Sequence, residues 1–151
     1  MKFLIFLFLI HSCASVNEQS SEKEEPNRIV FVTYKIKKNK GNETEVSFLN
    51  HKLVDGKIKG YSNNDLNTTE GDLKCTFLDN KRTVLQVVNI KNPLKRIVEY
   101  VNDSGNLEKR LIELDSSQFI IRAPFIKNTQ YLELREVTKG EKQKKLLSTK
   151  L

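Results

Sequence analysis

The chain has 151 residues, 38% apolar and 30% charged, with two cysteines, no tryptophan and a formal charge of +7. That composition describes one ordinary domain with tails, and two cysteines are too few for a disulfide scaffold, so the fold must rest on a hydrophobic core. The positive charge is uneven: residues 13–27 carry −3, residues 28–137 carry +5 and residues 138–151 carry +4, a basic chain end and not the footprint of a nucleic-acid-binding domain.

Lys2 supplies a minimal positive start, and Phe3 to Ile10 is an unbroken apolar run of signal-peptide length. His11 and Ser12 end it far short of the roughly 20 residues that span a bilayer. The segment therefore reads as a signal peptide over residues 1–12. Ile10-His11-Ser12-Cys13 resembles the lipobox of bacterial lipoproteins, with an aliphatic residue three places before Cys and a small one directly before it; His11 departs from the usual small or aliphatic residue. The resemblance implies lipidation of the Cys13 thiol, cleavage before it, and a chain anchored in the membrane of the cell envelope, facing outside the cytoplasm. Each buried methylene of such an anchor contributes about 0.8 kcal/mol. Ordinary secretory cleavage near Ser12-Cys13-Ala14 or Ser15 stays open; it discards Cys13 and leaves a secreted soluble protein.

Residues 13–27 are rich in Ser and Glu, end near Pro26 and read as a disordered tether. The body, residues 28–137, alternates apolar and polar residues in short runs divided by turn residues. Val30, Val32, Tyr34 and Ile36 share one strand face, and Lys38 to Asn42 turns the chain into Glu45 to Leu49. Asp55-Gly56 predicts a tight turn into a strand over Lys57 to Tyr61. Ser62 to Gly71 reads as a surface loop. Asp72 to Leu78 and Arg82 to Ile90 follow as strands, with Leu73, Cys75 and Phe77 inward, and Asn92-Pro93 marks the exit. Arg96 to Val101 and Leu107 to Leu114 flank the hairpin turn Asn102 to Asn106; Ser117 to Arg122 and Gln130 to Val137 complete about nine strands, the pattern of an antiparallel sandwich or a partly open barrel. Residues 138–151, with Lys139, Lys142, Lys144, Lys145 and Lys150, read as a flexible basic tail suited to anionic lipid or an anionic surface polymer.

Val98-Glu99-Tyr100-Val101, the Asp103-Ser104-Gly105 turn, Phe119 to Phe125 and Tyr131 to Leu134 resemble the C-terminal strands of extracellular immunoglobulin-like domains. The resemblance implies an all-β, antiparallel immunoglobulin-like β-sandwich, without the inter-sheet disulfide and core Trp of antibody domains. It implies an architecture and no activity.

Groups for catalysis are sparse. Beyond the leader His51 is the one histidine, which leaves no histidine metal cluster, and neither a Gly-rich phosphate loop nor a Gly-x-Ser-x-Gly motif occurs. Glu43/Glu45 and Glu133/Glu136 are the carboxylate pairs that a small hydrolase would need; Glu43 and Glu45 read as sharing a solvent face with lysines nearby. Asp65, Glu70 and Asp72 are oxygen donors without an EF-hand spacing. Asn42, Asn67 and Asn102 head glycosylation sequons placed in turns, relevant to a eukaryotic secretory route. The sequence thus points to a non-enzymatic exported binding or assembly module. It needs no catalytic residue, cofactor or metal, is lipidated at Cys13, and meets the membrane and a protein partner or anionic surface polymer.

Overall fold

The computed structural model describes residues 27–61 and 67–151; the leader, Cys13, most of the tether and Asp65 lie outside them. The described residues are all-β and antiparallel, with nine strands: β1 Arg28–Lys38, β2 Thr44–Asp55, β3 Leu73–Leu78, β4 Val84–Ile90, β5 Lys95–Val101, β6 Leu107–Glu113, β7 Ser116–Pro124, β8 Tyr131–Val137 and β9 Gln143–Lys150. They form a three-stranded sheet ordered β2-β1-β7, a four-stranded sheet ordered β4-β3-β8-β9, and a separate β5-β6 hairpin.

The alternating apolar residues explain why the two larger sheets face each other. In β1 the side chains of Val30, Val32, Tyr34 and Ile36 all point one way and are buried. Register sets Ala123, Ile121 and Phe119 of β7 beside Val30, Val32 and Tyr34. From the other sheet, Cys75 and Phe77 of β3 and Leu132 and Leu134 of β8 enter the same core. Tyr34 spans the two layers: its ring stacks on Phe119 with centroids 5.6 Å apart, and its hydroxyl donates to Thr149 Oγ1 of β9 at 3.3 Å. Burial pushes its phenol up to about 12. A second, smaller core of Ile36, Leu73 and Leu94, with Leu114 and Leu146 against it, closes one end of the molecule.

Three expectations need correction. The second strand does not stop at Leu49 but continues to Asp55, because β1 is long enough to pair with it throughout. A bulge between Thr33 and Tyr34 leaves Leu49 unmatched and interrupts the alternation that the sequence would otherwise show. Lys57 to Tyr61 is not a strand: Asp55 pairs with Arg28, the first residue of β1, and Gly56 N–H donates to Asn27 O at 2.8 Å, which carries the chain past the end of β1 instead of folding it back along the free edge of β2. Residues 138–151 are not a flexible tail. The chain reverses over Thr138 to Lys142 through Gly140 at φ 74°, and Gln143–Lys150 pairs along β8 as the edge strand β9. Leu146 and Leu147 pack inward, while the lysines guard an exposed edge.

Candidate functional site

The β5-β6 hairpin is the part of the fold that the core does not explain. Its strands pair only with each other, and every residue but Val98 is exposed. A lone two-stranded hairpin is marginal in water. Both ends of this one are therefore fastened. At the base, Leu94 enters the smaller core, Leu114 packs on it, and Leu114 N–H donates to Leu94 O at 2.8 Å. At the tip, Asn102 Oδ1 accepts the N–H groups of Ser104 at 3.0 Å and Asn106 at 2.9 Å around Gly105, whose φ is 81°.

Register divides the hairpin into two unlike faces. One holds the cross-strand pairs Lys95/Glu113, Ile97/Leu111, Glu99/Lys109 and Val101/Leu107. Ion pairs alternate with apolar pairs: Lys95 Nζ lies 3.9 Å from Glu113 Oε1 and Lys109 Nζ 2.9 Å from Glu99 Oε1. The apolar members are open to water, with Ile97 70%, Leu107 66%, Val101 65% and Leu111 54% exposed. The other face pairs Arg96/Ile112, Val98/Arg110 and Tyr100/Glu108. There the Tyr100 hydroxyl donates to Glu108 at 2.7 Å, which raises the phenol and, with Asn102, lowers the carboxyl.

A base of hydrogen bonds steadies the hairpin from below. The buried Asp72 carboxylate accepts from Thr69 N–H (2.8 Å), Thr69 Oγ1 (3.0 Å) and Lys91 Nζ (2.9 Å) through one oxygen, and from Asn92 N–H (2.9 Å) through the other. Burial pushes this carboxyl up, but those donors outweigh it and hold Asp72 below the ordinary aspartate value. Beside it a cleft of about 440 Å³ is lined in part by Glu70, Glu113, Asp115 and Glu136. Lys38 donates to Thr44, whose hydroxyl donates to Glu136 Oε1 at 2.7 Å, giving Glu136 a structural partner.

The outer face of the larger sheet is cationic. Register sets Lys74, Arg135 and Lys145 in one row across β3, β8 and β9. Like charges so placed repel. Glu133 relieves two of them, accepting Arg135 Nε at 2.7 Å and Lys145 Nζ at 2.6 Å, and the lysine bond leads in lowering its carboxyl. Arg82 lies 3.7 Å over the Tyr131 ring beside the same shallow depression of about 510 Å³.

No family model, curated protein or solved structure matches this chain. Its residues must therefore speak for themselves. Cys75 is fully buried, and burial raises its thiol well above the usual value, so it packs as a small apolar residue. His51 is exposed on β2, 6.2 Å from the Phe48 ring. Glu43 and Glu45 are bound to Lys144 at 3.1 Å and Lys37 at 3.0 Å, and these lysines lower both carboxyls. Glu133 and Glu136 part company: one joins the cationic outer face, the other bonds Thr44. Among the described residues no three His, Cys, Asp or Glu cluster as a metal site would require. Asn42 and Asn102 lie in turns, and Asn102 spends both side-chain atoms within its own hairpin.

Sequence reasoning found the hairpin but missed its isolation. Alternation predicts which residues share a face, and it carries no information on whether a second layer covers that face.

Proposed function

We propose that this chain is an exported protein, lipid-anchored through Cys13 in the cell envelope, whose β-sandwich serves as a non-enzymatic binding or assembly module. The observation that carries this reading is the hairpin: exposed, fastened at both ends, and rich in apolar side chains that contribute nothing to the core. The immunoglobulin-like likeness belongs to the same reading. Two antiparallel sheets sharing one core support it, although the first strand sits in the middle of its sheet, where immunoglobulin domains place it at the edge.

Palmitate labelling of wild type beside Cys13→Ser tests the anchor. Labelled wild type and unlabelled variant are expected; a mature chain starting unmodified near Ala14 or Val16 replaces the anchor with plain secretion. Intact polypeptide free in the cytosol overturns both.

The cationic row adds a second contact, with an anionic surface polymer. On a phosphocellulose column, Lys74→Glu/Lys145→Glu is expected to elute at clearly lower salt than wild type, because each lost cation removes a screened attraction and adds a repulsion. Co-elution of the two removes this contact from the proposal.

A further inference from the structure

We infer that the Ile97 face of the hairpin docks on the same face of a second copy, about a two-fold axis parallel to the strands. The inference rests on reading the hairpin as the contact element, and it names the partner.

The argument is one of register. A two-fold axis running along the hairpin lays β5 of one copy over β6 of the other, level by level. Lys95 then meets the partner copy's Glu113, and Glu99 meets its Lys109. Between these levels Ile97 lies over Leu111 and Val101 over Leu107. Every cation faces an acid and every apolar side chain an apolar one, the self-complementarity that an isologous contact demands. Under this axis each residue meets the other copy's version of its own cross-strand partner, so an ion pair stays matched whichever strand carries its lysine.

Two alternatives fit less well. A two-fold axis across the strands at Ile97/Leu111 also matches the charges, but leaves Val101 and Leu107 beyond the overlap. The opposite face would bring Arg96 and Arg110 into a contact where Glu108 is the one acid, already engaged by Tyr100 and Asn102. A face seven residues long and two strands wide measures roughly 23 Å by 10 Å, so two copies cover on the order of 500 Å² in projection, below the size of a stable specific interface. Pairing is therefore weak in dilute solution and strengthens where chains are concentrated on one surface.

Sedimentation velocity on the full chain carrying Cys13→Ser, at rising concentration, tests the inference. A monomer–dimer equilibrium is expected. Lys95→Glu/Lys109→Glu makes the face wholly acidic and is expected to raise the dissociation constant at least about tenfold. Lys95→Glu/Glu113→Lys is the discriminating variant: β5 becomes acidic and β6 basic, so an axis along the strands keeps every charge matched, whereas an axis across them sets acid on acid. Dimerisation retained in this swap and lost in the acidic variant supports the inference. Loss in both, association indifferent to both, or a monomer persisting to about 1 mM overturns it. The leader is common to all variants, so association driven by it would not change between them. Circular dichroism of each variant confirms the fold, which the hairpin faces do not enter. A chain acylated at Cys13 that stays monomeric ends the self-docking inference and leaves the envelope-module proposal standing.

Discussion

Asp72→Ala is expected to lower unfolding stability by about 3 kcal/mol, seen as a fall of roughly 10 °C in the thermal midpoint by calorimetry. The carboxylate joins two loops: through Thr69 it closes the turn before β3, and through Asn92 it fixes the segment leading to β5. Truncation leaves two part-buried backbone N–H groups without an acceptor, each costing about 1–3 kcal/mol, while Lys91 turns to solvent at little cost. Asp72→Asn should recover only part of this loss. Its amide nitrogen replaces one oxygen, and the N–H of Asn92 or of Thr69 then faces another donor.

Acid should expose the same residue. Asp72 has a lower pKa folded than unfolded, so its contribution is fully present above the unfolded value of about 4 and is lost as pH falls through the folded one. Glu133 on β8 behaves likewise. Urea midpoints measured from pH 6 down to pH 2 should therefore fall for wild type and fall less for Asp72→Asn, with Glu133 supplying part of the slope that remains. Equal slopes would show that Asp72 gains nothing from its four donors.

The parts of the fold visible in the sequence are those set by local alternation. Val30 to Ile36 and Leu73 to Phe77 declare their buried faces because side chains alternate across a strand and one side of each sheet meets the other layer. The Asn102–Gly105 turn is equally plain, since Asn caps it and Gly supplies the positive φ. What stayed hidden depends on partners distant in sequence. β2 lies at an edge, exposed along most of its length, so His51 and Lys52 outweigh Val46 and Phe48 in any pattern. β9 carries lysines that suggest a tail until β8 is there to receive it. The cationic row across Lys74, Arg135 and Lys145 exists only in three dimensions, as its members are contributed by three strands whose order no local signal encodes.

The hairpin and the core make the sharpest contrast that mutation can draw. Phe77→Ala is expected to cost about 3–5 kcal/mol, because the ring is wholly buried between the sheets and its loss leaves a cavity lined by close-packed neighbours. Ile97→Ala deletes apolar bulk from a side chain that is 70% exposed, and should change stability by less than about 0.5 kcal/mol. Urea unfolding of both variants measures the difference directly. If Ile97→Ala instead destabilised the monomer by several kcal/mol, the hairpin would be a packing element and its exposed face would need no partner. A near-neutral result places Ile97, Val101, Leu107 and Leu111 outside the energetics of folding. Four large apolar residues held in register by two ion pairs, on an element the core does not require, are then accounted for by what docks on them.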